Sequence, residues 1–373
     1  MKFAIFTHVT HIIELKEFYA YAPYVREMNI WGNYVQEILI VAPLASTKKT
    51  AIDRAYSHPR IKMITIKSFD LLNFKSLITA FLKIPEICRQ IFMGMKSADH
   101  IHLRCPGNIG LLGCFMQILF PATPKTAKYA GNWDPKSKQP WSYRLQKWIL
   151  RNPFLTRNMQ VLVYGEWEGS TKNIKSFFTA TYYESDKKAI MKRNLLGQIK
   201  FLFVGTLSKG KRPLYAIQLV EKLYQAGHNV CLDLYGEGHE RSFVENYIRD
   251  KKLESIIVLH GNKTAAMVQK AYENSHFIIL ASQSEGWPKV LAEGMFWGCL
   301  PVATAVSCVP NMLENGKRGL ILDMNLETDC QNIISVIEDE GAYQSKVVKA
   351  VEWSRTFTLD YFEKEIKDLL IKD

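Results

Sequence analysis

The chain has 373 residues, 47% of them apolar and 23% charged, which is enough apolar side chain for two cores and excludes a disordered segment. Its seven cysteines (Cys88, Cys105, Cys114, Cys231, Cys299, Cys308 and Cys330) are odd in number and lack a C-x-x-C pair, so a disulfide framework and a zinc knuckle are excluded and a reducing compartment is expected. The net charge of +12 comes from the first half alone: residues 1–198 carry 28 Lys+Arg against 13 Asp+Glu, and residues 199–373 carry 20 against 23. Such asymmetry predicts an anionic partner for the first half, and no nucleic-acid motif accompanies it.

In chain order, Met1 to His8 reads as a first strand, its apolar run being too short for a secretory signal. Short apolar runs at 3–6, 37–42, 62–66, 100–103, 125–129 and 161–164 alternate with helical patterns. The nearly uncharged stretch 106–123 holds Gly107, Asn108, Gly110, Gly113, Gln117 and Pro121 and is a poor membrane span. A polar, basic join follows at 182–198. A second series of strands is then predicted at 200–204, 230–235, 256–259, 277–281, 300–303 and 320–322. Two βα series in tandem predict an α/β chain of two Rossmann-like parallel-sheet domains facing one another across a cleft.

The segment Ser284-Glu-Gly-Trp-Pro-Lys-Val-Leu-Ala-Glu-Gly294 sets Glu285 and Glu293 eight positions apart around a turn that opens a short apolar helix between two strands. In a parallel crossover unit the ligand sits outside the carboxyl ends of the strands, which puts Glu285 at the binding edge. Pro288 suits the first helical position. The backbone N–H groups of Gly286, Trp287 and Lys289 are then expected to face an anion. Glu293, one turn on, is expected to accept two hydroxyl hydrogen bonds from a diol such as ribose.

These residues resemble the donor-site signature of glycosyltransferase family 4, a group of GT-B enzymes, with Gly294 where that family usually has Ala. Three further segments resemble it in order: Phe201 to Lys211 as first donor-domain strand and phosphate loop, Leu232 to Gly238 as second strand and Gly-x-Gly turn, and 258–261 as third strand end. The resemblance implies a retaining transferase that moves a sugar from a UDP- or GDP-linked donor to a glycan or lipid-linked acceptor, as in cell-surface polysaccharide or glycolipid synthesis. It implies an acceptor domain at 1–185, a donor domain at 186–355 and a last helix, 356–373, returning to the first domain. In that scheme Glu285 holds the transferred sugar, Glu293 the ribose, and Lys211 with the Gly236 turn and the 286–289 backbone the diphosphate. No metal or other cofactor is implied, and no D-x-D motif is present. The chain departs from the pattern at Thr206, where the family usually has Arg; Lys209 and Arg212 are the alternative cations.

On the first domain, Arg104 at the end of the strand 100–103 is a candidate for holding a phosphate or carboxylate, with an internal salt bridge as the competing reading. His8, His11, Asn132 and Asp134 are candidates for substrate contact, Trp133 for an aromatic plate and Asp134 for a helix N-cap. Residues 135–158 hold six Lys or Arg and no acid among aromatics, and predict docking on an anionic membrane surface from the cytoplasmic side, with an ordinary surface helix that buries its aromatics in its own core as the competing reading; 74–96 is a second such stretch. The rival readings are a GT-B sugar-nucleotide epimerase and a non-catalytic, membrane-docked sugar-nucleotide binding protein.

Overall fold

The structure, a computed structural model, describes residues 1–50, 52–67 and 74–371, with side chains throughout except at 74–82. Its first part runs β1 (Lys2–Phe6), α1 (Ala22–Gly32), β2 (Glu37–Pro43), β3 (Ile61–Ile66), α2 (Phe74–Lys96), β4 (His100–Cys105), α3 (Asn108–Met116), β5 (Lys125–Tyr129), α4 (Trp141–Arg151), β6 (Met159–Tyr164) and β7 (Ile174–Phe177). The second runs β8 (Ile199–Val204), α5 (Pro213–Gln225), β9 (Val230–Tyr235), α6 (Arg241–Asp250), β10 (Ile257–Gly261), α7 (Ala265–Asn274), β11 (Phe277–Leu280) and α8 (Lys289–Phe296). It continues through β12 (Leu300–Thr304), α9 (Val309–Met312), β13 (Leu320–Leu322), α10 (Leu326–Glu338), α11 (Glu340–Ser354) and α12 (Leu359–Leu370).

Both series form all-parallel sheets, ordered β7-β6-β5-β4-β1-β2-β3 and β10-β9-β8-β11-β12-β13. The strands are buried on both faces, as a sheet covered by crossover helices requires; Phe3, Ile5, Phe201, Phe203, Phe277 and Val302 are each fully enclosed. Each sheet starts in its middle and reverses direction, so each has a topological switch point, between β1 and β4 in the first and between β8 and β11 in the second. That is where loops diverge and leave a crevice at the carboxyl ends of the strands.

Two elements were not anticipated from the sequence. One is the seventh strand, Ile174–Phe177, on the edge of the first sheet. The other is a small antiparallel sheet of Ile12–Glu14, Glu17–Tyr21 and Asp53–Ala55. Its hairpin turns through Leu15 and Lys16, both at positive φ (52° and 68°). That is the backbone of a two-residue primed turn, without the Asn-Gly signature that would announce it.

The chain divides into two compact units, Met1–Phe177 with Phe362–Asp373, and Phe178–Tyr361. These boundaries differ from 185/186 and 355/356 for a packing reason. Residues 178–185 belong to the second unit, where Phe178 stacks on Tyr361 and packs against Phe357, and Thr181 bonds Glu293. From Phe362 onward α12 belongs to the first unit: Phe362 packs on Phe177, Glu365 pairs with Lys175 at 2.6 Å, and Glu363 accepts from Asn33 and Tyr34.

Candidate active site

At the switch point of the second sheet, the loops after β8 and β11 are tied together twice. The Gln283 N–H donates to the Gly210 carbonyl at 2.8 Å, and Lys211 Nζ meets Glu285 Oε1 at 2.5 Å. Lys211 and Arg212 sit in a turn closed by their N–H bonds to Ser208 O, and Pro213 then starts α5. The Glu285 side chain is only 10% exposed and that of Lys211 31%, so the pair is held at the mouth of the crevice with the lysine on the solvent side. Thr206 is exposed on the same loop, as is Lys209.

Glycine is required where the loops after β8 and β9 touch. Gly236 has φ of +137°, and a Cβ there would overlap the Gly205 carbonyl oxygen; one on Gly238 would overlap that of Leu207. The loops are joined by Gly205 N–H to Tyr235 O at 2.9 Å and Leu207 N–H to Glu237 O at 3.0 Å. Gly236 therefore shapes the crevice through backbone packing. We expect Gly236→Ala to cost about 1–3 kcal/mol in denaturant unfolding, the scale of overpacking a tight contact; unchanged stability would contradict this close approach.

The turn between the glutamates differs from expectation. Pro288 caps α8 from outside, with φ −75° and ψ 82°, and the helix starts at Lys289. The Lys289 N–H donates back to Trp287 O at 2.9 Å, an inverse γ-turn around the proline, so one of the three expected anion donors is spent on the chain itself. The Trp287 ring packs against Phe357 and Trp353 at 5.4 and 6.1 Å. It holds the loop in place through an aromatic cluster. The Gly286 carbonyl is fixed from the next loop by Ser307 Oγ at 3.0 Å and Cys308 Sγ at 3.3 Å.

Glu293 is not part of the Lys211 pair. Its Oε1 accepts from Thr181 Oγ1 at 2.7 Å and its Oε2 from Tyr272 OH at 2.9 Å. Burial, with the neighbouring Glu293 charge, pushes the Tyr272 hydroxyl well above its ordinary pKa, so it stays a donor. An ionised carboxylate has about four acceptor positions, and two are used. Neither Thr181 nor Tyr272 was legible as a partner of Glu293; they lie 112 and 21 residues away in sequence.

In the first unit, Arg104 is an internal salt-bridge residue. Its Nη1 is 2.7 Å from Glu27 Oε1, and Lys128 Nζ is 2.9 Å from the same oxygen. Burial alone would raise the Glu27 pKa, but the two cations outweigh it and hold the carboxyl at about 2. His11 is buried between the Val9 carbonyl and Tyr56 OH, 2.8 Å from each, and burial lowers it to about 4. His8 sits at the switch point of the first sheet, against Gly107: a Cβ on that glycine would lie 2.6 Å from His8 Nδ1. Partial burial, then the Arg104 charge, lowers the His8 pKa. His102 is a core residue bonded to Thr126.

The 130–134 loop is a closed turn. Asn132 Oδ1 accepts from the Asp134 N–H, and Asp134 Oδ1 from the Lys136 N–H. Trp133 is 3% exposed and packs edge-on against Tyr129, so it belongs to the core and offers no plate to a sugar. The residue preceding α4 is Pro140, without a side-chain cap, and Asp134 does not cap that helix. Among the described residues no cluster of three or more His, Cys, Asp or Glu side chains is arranged to hold a metal ion.

Residues 186–352 match the family model described as Glycosyl transferases group 1. The match falls within the second unit. An uncharacterized glycosyltransferase of Methanocaldococcus jannaschii is 27% identical over 126 residues, 34% of this chain and 36% of that protein. The poly(ribitol-phosphate) alpha-N-acetylglucosaminyltransferase of Staphylococcus aureus is 27% identical over 132 residues, 35% of this chain and 26% of that protein. The chain thus matches about a third or less of the length of these relatives. Among solved structures, HepE of Anabaena in complex with UDP-glucose superposes with a TM-score of 0.68 at 14% identity, covering 99% of both chains. That likeness is one of fold.

Proposed function

We propose that this protein is a retaining, family 4 type glycosyltransferase that uses a nucleotide-sugar donor. The observation that carries this reading is the meeting of Lys211 and Glu285 at the switch point between β8 and β11, within the group 1 domain. In the proposed site Lys211 faces the diphosphate, Glu285 the hydroxyls of the transferred sugar and Glu293 the ribose. Catalysis then consists of positioning the reactants and stabilising the charge that grows on the departing diphosphate. No metal is assigned a step.

A UDP-linked donor is the reading we favour, supported by the UDP-glucose held by the structural neighbour. The acceptor is a glycan or lipid-linked glycan of cell-surface polysaccharide synthesis. The phosphate-bearing acceptor named for the Staphylococcus aureus relative is a polyanion of the kind that the +15 first half would attract. We assign acceptor binding to that half, and docking on an anionic membrane at its cytoplasmic face.

A second reading, a non-catalytic sugar-nucleotide binding protein, is favoured by Thr206 standing where a diphosphate-holding arginine is usual. Incubating the protein with a panel of UDP- and GDP-sugars, with and without lipid-linked and polymeric acceptors, separates the readings. Transfer to acceptor supports the proposal; epimer formation without acceptor would replace it by the epimerase reading; tight binding without any turnover would replace it by the binding-protein reading. Glu293→Ala should weaken nucleotide sugars and the bare nucleoside diphosphate by the same factor in calorimetry, because the ribose is common to both. Loss confined to the sugar-linked form would overturn the Glu293 assignment.

A further inference from the structure

Within residues 135–158 the fold exposes some of the aromatic and basic side chains and buries others. On α4, Trp141, Arg144, Trp148 and Arg151 are exposed, the tryptophans at 60% and 61%. Their spacings of three, four and three put them within roughly 80° of arc on a helix of 3.6 residues per turn. The opposite face buries Ser142, Gln146, Ile149 and Leu150. Just beyond the helix, Phe154 is 70% exposed, with the Arg157 guanidinium 4.5 Å over its ring. The neighbouring segment adds Phe115 and Leu119, the latter 61% exposed, and is tied to this one by Gln117 Nε2 donating to Leu155 O at 2.9 Å.

Lys147, which the sequence groups with these cations, is not among them. It donates to Asp134 O, lies over the Tyr129 and Trp133 rings, and burial lowers its pKa to about 8. Of the second stretch, the side chains of 74–82 lie outside the described residues, and Phe92 packs on Phe120.

We infer that the stripe of Trp141, Arg144, Trp148 and Arg151, extended by Phe154 and Arg157, is a surface that docks on an anionic phospholipid bilayer. This deepens the membrane reading above and rests on it. Exposed tryptophans alternating with arginines suit the headgroup boundary, where the rings lie among acyl carbons and the guanidinium groups reach phosphates. From residue 100 to 165 the chain carries nine Lys or Arg and a single acid, Asp134. A second copy docking isologously through this face would set like charges against each other, whereas a sheet of anionic headgroups complements them. Among the described residues no helix is long and apolar enough to cross a membrane, so attachment here is a matter of lying on the surface.

The test uses the full chain and vesicles of phosphatidylcholine with or without phosphatidylglycerol, at low ionic strength. Wild-type protein should float with the anionic vesicles and be left behind by the neutral ones. Arg144→Glu/Arg151→Glu/Arg157→Glu should lower the partition coefficient by about 100-fold or more. Lys16→Glu/Lys48→Glu/Arg60→Glu, the same charge change at exposed positions elsewhere in the unit, should lower it far less. Brominated acyl chains should quench wild-type tryptophan fluorescence, and Trp141→Ala/Trp148→Ala should lose most of that quenching. Equal losses in both charge variants, no flotation of the wild type, or lipid-free dimerisation abolished by the stripe variant would each overturn the inference. Calorimetry with UDP and with GDP on the same preparations keeps the two readings apart. Vesicle binding without nucleotide binding would sink the transferase reading and leave the surface; nucleotide binding without vesicle binding would do the reverse.

Discussion

Glu285→Gln is expected to lower turnover of the sugar donor by on the order of 10²-fold or more, while tightening the bare nucleoside diphosphate about fivefold. The first effect is the scale of losing a positioning contact to the reacting sugar. The second follows from geometry that the sequence does not show: Lys211 has an anion within the chain, the Glu285 carboxylate 2.5 Å away. In the proposed site a diphosphate shares or displaces that partner. Removing the negative charge frees the lysine, and the gain corresponds to ~1 kcal/mol for a partly exposed pair. Lys211→Met should weaken diphosphate binding and lower turnover further than affinity, since charge on the leaving phosphate grows toward the transition state. In the double variant the tightening should vanish, because its source is gone. Calorimetry with a nucleoside diphosphate and a turnover assay with the intact donor measure both halves. Undiminished turnover in Glu285→Gln, or an equal tightening in the Lys211→Met background, would remove the pair from the site.

The parallel sheets were legible because each strand is a run of apolar residues bounded by turn signals, and burial on both faces leaves such a run little else to be. The position of the Glu285 loop was legible for the same reason: strand, turn, helix and strand fix the end of the sheet at which it lies. What escaped was the choice of side-chain partners between distant segments. Lys211 and Glu285 are 74 residues apart, and nothing local states that their charges meet. Lys289 reads as a free donor until the γ-turn at Pro288 spends its N–H. Arg104, at the end of a strand beside a crevice, has the position of a binding residue. Only the placement of α1 brings Glu27 from 77 residues away to claim it. Trp133, just before the basic stretch 135–158, and Trp148 within it are chemically alike, yet one is core and the other solvent. Trp148 lies on the exposed face of α4, whereas Trp133 is packed into the core by the closed turn before that helix, and no capping side chain marks where the helix starts.

Glu27→Gln is expected to destabilise the first unit by about 3–5 kcal/mol, the scale seen when one partner of a buried ion pair is removed. The carboxylate is 8% exposed and its Oε1 is shared by Arg104 and by Lys128, whose side chain is fully buried. An amide of the same shape keeps a hydrogen-bond acceptor but takes away the charge with which both cations pair. The pH dependence has a definite sign. Because the carboxyl is held at about 2 in the folded protein against an ordinary 4.5, its contribution is present above about pH 4.5 and is lost as the pH falls toward 2. Wild-type unfolding midpoints in denaturant should therefore drop through that window more steeply than those of Glu27→Gln, and the gap between the two proteins should narrow there. Replacing Arg104 by Lys should cost less than Glu27→Gln, since the carboxylate keeps two cations beside it. A Glu27→Gln protein as stable as the wild type at neutral pH, or a gap that does not change between pH 4.5 and 2, would mean that Arg104 is not held by this cluster. It would then return to the candidates for contact with an anionic substrate.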